Sequence, residues 1–236
     1  MNFFDNQIMA FLNEFARKSF AFDSFMQSIS TNYLIKGGIF VTMLWWAWFK
    51  NGENSAKTRE HIISTIIACF GAIFTARFLA LILPYRPRPL QSFETFRVVP
   101  YSITRELLEI WSSFPSDHAA LFFAFAAGLM FVSRFMGFFA LLYAFFIICL
   151  PRMYLGLHYP TDIIAGAIIG IGMAFLANTA PINTYMIKPT MRWQHNHPSS
   201  FYAVFFLLTF SIATLFDSVR SLMTSILLIL NVKTIF

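Results

Sequence analysis

The sequence predicts an all-α protein, a polytopic transmembrane helix bundle of about six spans with an N-terminal amphipathic helix. Hydrophobic residues make up 58% of the 236 residues and charged residues only 12%, whereas a soluble domain carries about 25% charged residues. Several apolar runs approach the ~20 residues needed to cross the hydrocarbon core of a bilayer. The length suits a single domain over residues 1–236, with the chemistry expected in a core of about 61–178.

The first predicted element is the N-terminal amphipathic helix. Apolar side chains recur there at helical spacing, at Phe4, Ile8, Phe11, Leu12 and Phe15. This period fits a helix that lies in the membrane interface, and it fits equally a short helix that caps the bundle. Acidic residues interrupt the run and no basic region precedes it, so we expect no cleaved signal peptide.

Six apolar segments follow and are predicted to be the spans. They lie at residues 33–49, 61–83, 117–132, 136–150, 161–178 and 201–216. The stretch 222–232 is short for a crossing and could be a seventh span or a surface helix. Residues 103–114, in the loop after the second segment, show a helical period that predicts a short helix over the site. Three glycines of the fifth segment, Gly166, Gly170 and Gly172, predict close helix packing.

The basic residues indicate membrane lipids rather than nucleic acid as partners. The formal net charge is +6, but the basic residues are spread thinly and form no block interleaved with aromatic residues. Cytoplasmic loops and anionic headgroups account for much of the excess. The two cysteines, Cys69 and Cys149, each lie in an apolar run and are predicted to be small core residues rather than a disulfide.

Polar residues from distant parts of the chain are predicted to meet at one membrane face. If the segments cross in turn, the second and fourth end where the third and fifth begin. That face receives Arg86, Arg88, Ser116, His118, Arg152, His158 and Asp162. The opposite face carries Lys50, Lys57, Arg59, Arg134, Lys188 and Arg192. The positive-inside rule therefore places the polar cluster on the outer side of the membrane.

The cluster has the side chains of an oxyanion site. Arg86, Arg88 and Arg152 can grip a phosphate or diphosphate through forked hydrogen bonds, although a single arginine here could simply snorkel to the interface. His158 and Asp162 are four residues apart, so the carboxylate can hold the imidazole in one tautomer.

Three alternative interpretations of these residues remain. Asp162 could be a helix-start residue only, and Ser116 an N-cap only. The two histidines, with Asp117 and Asp162, could also ligate a cation. The neighbouring arginines would repel a metal ion, so we predict no metal site and no cofactor.

Three motifs together resemble the signatures of the type 2 phosphatidic acid phosphatase superfamily. They are "RPRP" at 86–89, "FPSDH" at 114–118 and "RMYLGLHYPTD" at 152–162. The family patterns are K-x6-R-P, P-S-G-H and S-R-x5-H-x3-D, and its membrane members remove phosphate from lipid phosphates and diphosphates. The third motif is the most specific of the three, and "RPRP" alone would be weak.

The resemblance implies a role for each matching residue. His158 would attack phosphorus and form a phosphohistidine, and Asp162 would orient it. His118 would protonate the leaving oxygen and then activate water. The phosphoryl oxygens would be held by Arg88, Ser116 and Arg152.

The sequence departs from the family patterns in three places. Asp117 stands where glycine is usual; its backbone N–H can still donate to a bound phosphate, so it stays a predicted substrate-binding residue, but its carboxylate would repel phosphate unless it points away. Pro151 replaces the usual serine. The motif lysine is absent, because counting back seven residues from Arg88 reaches Leu81.

An arginine in the second apolar segment could replace the missing lysine. Arg77 lies four residues before Leu81, on the same helix face and about 6 Å deeper. An arginine within a span is a functional candidate, so we hypothesise that Arg77 takes the lysine's place. Arg86 is a second possible contributor to substrate binding.

The resemblance thus implies an integral membrane lipid phosphatase in a bacterial inner membrane, with its site facing the periplasm or outside. Undecaprenyl diphosphate is the first choice of substrate, followed by phosphatidylglycerol phosphate and phosphatidic acid. One alternative is a lipid-linked phosphotransferase that uses the same site. The other is a non-catalytic lipid-binding or transport protein. The missing lysine also leaves open an inactive member of the family.

Overall fold

A computed structural model describes residues 2–50, 52, 54–92, 96–101, 103 and 112–215. Within these ranges all regular secondary structure is helical. The predicted helix over 222–232 lies outside the described residues, and the one over 103–114 lies largely outside them.

The described chain forms eight main helices. They are α1 (Phe3–Asn13), α2 (Phe20–Thr31), α3 (Leu34–Phe49), α4 (Ser55–Ile82), α5 (Asp117–Val132), α6 (Arg134–Tyr154), α7 (Pro160–Ala177) and α8 (Pro198–Ala213). A connector of three short helical pieces joins α7 to α8: Ala180–Ile182, Asn183–Ile187 and Lys188–Asn196. Each of the six predicted apolar segments therefore corresponds to one helix.

Three helices, α4, α6 and α7, are long and apolar enough to cross a membrane, and they make the chain an integral membrane protein. The other three apolar helices are shorter. Each has 16 residues and is therefore about 24 Å long at a rise of 1.5 Å per residue. That is less than the ~30 Å thickness of the hydrocarbon core. The count of six crossings therefore stays a prediction.

Helix α5 lies at the centre of the bundle, against α4, α6 and α7. Its close approach to α7 depends on the two glycines of the G-x3-G pair. A Cβ on Gly166 would lie 2.4 Å from the Ser116 carbonyl oxygen, and one on Gly170 would lie 2.3 Å from that of Ala120. The predicted close packing is confirmed for both. Gly172 differs, because a Cβ there would meet nothing within 4 Å.

The N-terminal helix α1 packs on the end of α6 and the start of α7. Asp5, Met9 and Asn13 are buried at successive turns of one face, and Asn13 also bonds the backbone of Val98 in the loop after α4. Phe3 and Phe11 on the other side are 76% and 59% exposed. The helix therefore caps the bundle and keeps an aromatic face outward. Insertion of that face into the membrane interface stays a prediction.

The loop between α6 and α7 is fixed against the loop that follows α4. Gly156 adopts φ +69°, a conformation that favours glycine, and a Cβ there would lie 3.1 Å from the Leu90 nitrogen. The Leu90 N–H donates to the Gly156 carbonyl at 2.9 Å. Pro160 then begins α7, where its missing N–H costs nothing. The segments that carry the first and third motifs are thereby joined.

Candidate active site

His158 is held in one tautomer by a backbone carbonyl. Its Nδ1 lies 2.9 Å from the Ser113 carbonyl oxygen, which can only accept, so Nδ1 carries the proton and Nε2 keeps its lone pair. The side chain is 3% exposed. Burial, together with the charge of Arg88, lowers the pKa of His158 below its usual 6.5, against the opposing pull of Asp162. The ring is therefore neutral at pH 7, as a nucleophile requires.

Asp162 lies beside His158, although its shortest hydrogen bonds are to other groups. Its Oδ2 is 3.7 Å from His158 Nδ1 and accepts from the Ser113 hydroxyl at 2.5 Å and the Tyr159 N–H at 2.7 Å. Its Oδ1 accepts from Arg86 at 2.5 Å. The carboxylate is fully buried, so its attraction for the imidazole is weakly screened. Ser113 connects the two side chains through its carbonyl and its hydroxyl.

His118 is held by the residue that precedes it. Its Nδ1 lies 2.8 Å from Asp117 Oδ1, and its Nε2 accepts a hydrogen bond from the Arg152 guanidinium. The other carboxylate oxygen of Asp117 forms a salt bridge with Arg77. Asp117 is thus turned onto two donors, and its charge is compensated where the family usually has glycine.

Ser116 joins the start of α5, which carries His118, to the start of α7, which carries Asp162. Its hydroxyl accepts from the Ala119 N–H at 3.3 Å, which is the N-cap contact that opens α5. Its own N–H donates to the Asp162 carbonyl at 3.1 Å. Because His118 follows two residues later and Asp162 lies on the first turn of α7, both histidines stand at the same end of the bundle.

Two arginines border the histidines. Arg88 donates from Nη1 to the Leu157 carbonyl at 2.8 Å, whereas its buried Nε has no hydrogen-bond partner among the described residues. Burial also lowers the pKa of Arg88 below its usual value. Arg152 is 9% exposed and contacts His118. Guanidinium donors at this position suit a phosphoryl group.

The other two predicted substrate-binding arginines are engaged by carboxylates. Arg77 pairs with Asp117. Arg86 bridges Asp5 at 2.6 Å and Asp162 at 2.5 Å. The guanidinium of Arg86 also lies 4.3 Å from the centre of the Tyr159 ring. Direct substrate contact by either arginine stays a prediction.

Sequence reasoning missed Asp5 and Ser113 as parts of the site. Asp5 is fully buried and reaches Arg86 and Thr161 from the N-terminal helix. An acidic residue on the first turn of a largely apolar N-terminal run was the sequence signal for it. Ser113 lies directly before the second motif and had no signal of its own.

No group of three or more His, Cys, Asp and Glu side chains that could hold a metal ion occurs among the described residues. The carboxylates near the histidines are instead paired with arginines or hydroxyls.

A family model, three curated proteins and a solved structure are similar to this chain. The family model described as PAP2 superfamily matches residues 61–186, a range that contains all three motifs.

Three curated bacterial relatives are similar to parts of the chain. The bacitracin transport permease protein BcrC of Bacillus licheniformis is 34% identical over 54% of this chain and 60% of its own length. The undecaprenyl-diphosphatase BcrC of Bacillus subtilis is 25% identical over 65% and 72%, respectively. The lipid A 4'-phosphatase of Bacteroides thetaiotaomicron is 51% identical, but over only 24% of this chain and 26% of its own.

One solved structure is similar in fold. The crystal structure of Aquifex aeolicus LpxE covers 72% of this chain and 92% of its own, with a TM-score of 0.51 and 24% sequence identity. At this identity the likeness concerns the helical architecture alone.

Proposed function

The chain belongs to the PAP2 superfamily and is a phosphatase of that type, and from this premise we propose that it hydrolyses a lipid diphosphate through a phosphohistidine on His158. Undecaprenyl diphosphate is the proposed substrate. The proposed location is the bacterial inner membrane, with the site on its outer face. The name of the Bacillus subtilis relative supports the substrate, and the basic residues at the opposite end of the spans support the orientation.

In the first step Nε2 of His158 attacks the terminal phosphorus. A P–N bond forms as the P–O bond to the lipid monophosphate breaks, and His118 donates a proton from Nε2 to the leaving oxygen. The proton stays on His158 Nδ1 and remains hydrogen-bonded to the Ser113 carbonyl. Asp162, at 3.7 Å, stabilises the positive charge that the imidazole gains.

In the second step water attacks the phosphohistidine. His118, which has given up its proton, takes one from the water, and inorganic phosphate leaves as the P–N bond breaks. Asp117 supports His118 in both steps, because its carboxylate holds Nδ1 and stabilises the imidazolium.

Preorganised donors stabilise the charge on the equatorial phosphoryl oxygens. Arg88, Arg152 and the first turn of α5 at Ser116 supply them. A phosphoryl oxygen is a stronger acceptor than a neutral imidazole, so Arg152 transfers its donor from His118 to the substrate. That transfer leaves Nε2 of His118 able to carry the proton for the leaving group.

The observation that supports this proposal most is the orientation of His158, whose Nδ1 is committed to Ser113 so that Nε2 is left to react. Phosphate release by the purified protein from undecaprenyl diphosphate, phosphatidylglycerol phosphate and phosphatidic acid, with and without EDTA, tests it. We expect the diphosphate to be turned over fastest and activity to survive EDTA. Activity abolished by EDTA and restored by one metal would contradict the histidine mechanism.

Two alternatives are separated by simple measurements. A phosphotransferase would pass the phosphoryl group from His158 to an acceptor, so phosphorylated acceptor would exceed free phosphate among the products. Transport without catalysis is suggested by the name of the Bacillus licheniformis relative, a bacitracin transport permease protein. A His158→Ala variant that still conferred bacitracin resistance on cells would favour transport.

A further inference from the structure

Helix α1 lies outside the residues matched by the family model, yet it contributes a carboxylate to the active site. The match begins at residue 61, whereas Asp5 lies on the first turn of α1. Its side chain is fully buried. A buried carboxylate is costly unless it is paired and hydrogen-bonded, so the partners of Asp5 show what it does.

All the side-chain partners of Asp5 among the described residues lie around the nucleophile. Oδ2 accepts from the Arg86 guanidinium at 2.6 Å and from the Thr161 hydroxyl at 2.7 Å. Oδ1 accepts from the Thr161 N–H at 3.0 Å. That N–H lies on the first turn of α7, where backbone N–H groups have no acceptor within their own helix. Asp5 therefore caps α7 from another helix, one residue before Asp162.

Arg86 connects Asp5 to Asp162. Its Nη2 contacts the first carboxylate and its Nη1 the second, at 2.6 and 2.5 Å. Two carboxylates and one guanidinium leave one net negative charge in this group. Without Asp5, Arg86 would neutralise Asp162 completely, and His158 would face no net negative charge from this side.

We propose that Asp5 is a positioning residue for the nucleophile, acting through Arg86 to preserve the negative charge that Asp162 presents to His158. This inference rests on the proposed phosphatase function. Helix α1 then contributes a functional carboxylate to the catalytic site, in addition to capping the bundle.

The charge near His158 sets the pH at which kcat/KM falls on the acid side, so pH profiles of charge variants test the role of Asp5. The charged groups facing His158 are Asp162, Arg88, Arg152 and Asp117, and the Ser113 carbonyl accepts from its Nδ1. Attack needs the neutral imidazole, so the acid limb of kcat/KM follows the pKa of His158 in the free enzyme. Removing a negative charge nearby lowers that pKa and moves the limb to lower pH, whereas removing a positive charge moves it to higher pH.

The first experiment compares Asp5→Asn with Asp23→Asn. Asp23 is a matched control, since it is also fully buried in the N-terminal region but accepts from Tyr154 and from the N–H groups of Arg17 and Tyr101. On undecaprenyl diphosphate we expect D5N to lose about tenfold in kcat and to move the acid limb down by about half a pH unit. D23N should keep the wild-type limb. Equal limbs in D5N, D23N and wild type would overturn the proposal.

A second pair of variants tests the charge balance, and its first member, Arg86→Gln, does not depend on D5N folding. Arg86→Gln leaves two negative charges, so its limb should move to higher pH. The double variant D5N/R86Q restores one net negative charge, so its limb should return to the wild-type position. An R86Q limb that stays in place or moves down, or a double variant that differs from wild type as much as D5N does, would overturn the proposal.

Failure of the proposed function is recognised separately. If the wild-type protein releases no phosphate from any lipid of the panel, the phosphatase proposal fails before Asp5 is tested. If the wild type is active and the limbs do not move, only the inference about Asp5 fails.

Discussion

The two histidines differ in how the chain holds them. His158 is fixed by distant residues: the Ser113 carbonyl, and a buried group in which Arg86 joins Asp162 to Asp5. His118 is fixed by its own neighbour Asp117. The His158 side chain is 3% exposed and that of His118 is 12% exposed.

This difference matches the two roles that we propose. A nucleophile must keep one nitrogen unprotonated and aimed at phosphorus, and a rigid, buried, non-local set of contacts provides that. An acid that later acts as a base must exchange its proton. Its Nε2 accepts from Arg152, a long side chain that can turn to the substrate. The variants below test whether the two histidines act in these separate ways.

The largest expected effect is that of His158→Ala. Loss of a nucleophile costs about 10⁴-fold or more in kcat, and no phosphoenzyme should form with any substrate. Steady-state phosphate release and circular dichroism of the purified variant measure activity and folding together. A folded H158A protein with more than a few percent of wild-type activity would show that His158 is not the nucleophile.

His118→Ala should cost less, and the loss should depend on the leaving group. General acid help is worth about 10²- to 10⁴-fold. Phosphatidic acid must expel an alkoxide, which needs the proton, whereas undecaprenyl diphosphate expels a phosphate that needs it less. We therefore expect a larger loss of kcat/KM on phosphatidic acid. Equal losses on both lipids would mean that His118 does not protonate the leaving oxygen.

Arg77→Ala should cost about tenfold in kcat/KM, because it leaves the Asp117 carboxylate uncompensated beside the phosphate. If neutralising Asp117 is its main role, Arg77→Ala will cost much less in a D117N background than in the wild type, whatever D117N itself costs through His118. An equal loss in both backgrounds would instead indicate that Arg77 contacts the substrate, as the missing lysine would. These variants therefore show whether Arg77 acts on Asp117, the residue that holds His118, or on the substrate.

Gly170→Ala tests the helix contact that keeps the two histidines together. The new Cβ would lie 2.3 Å from the Ala120 carbonyl and force α5 away from α7. We expect about 1–3 kcal/mol of destabilisation, a lower Tm and a severalfold fall in kcat. Gly172→Ala is the control, since nothing lies within 4 Å of its Cβ. Identical Tm values for the two variants would be inconsistent with close packing at Gly170.

The sequence predicted the parts of the site that depend on local spacing. Every predicted apolar segment is a helix, and the G-x3-G pair packs as expected. The placement of Asp162 four residues after His158 brought the two side chains to one side of the α7 start. Helix periodicity and capping rules are sufficient for these features.

The remaining features depend on contacts between distant residues. The Asp5–Thr161 contact spans 156 residues, and Ser113 lies 45 residues from His158. No periodic pattern encodes such pairs. Spacing could bring Arg86 to the right membrane face, but it could not tell whether its guanidinium would turn to a phosphate or to two carboxylates.

The most direct test is to trap the covalent intermediate in the His118→Ala protein. Undecaprenyl diphosphate labelled at its terminal phosphate is mixed with the variant, quenched in alkali, in which phosphohistidine is stable, and the digested protein is mapped. Label on His158 is expected, and it should accumulate because water activation is impaired. Label on any other residue, or phosphate release with no labelled protein at any time point, would contradict nucleophilic attack by His158.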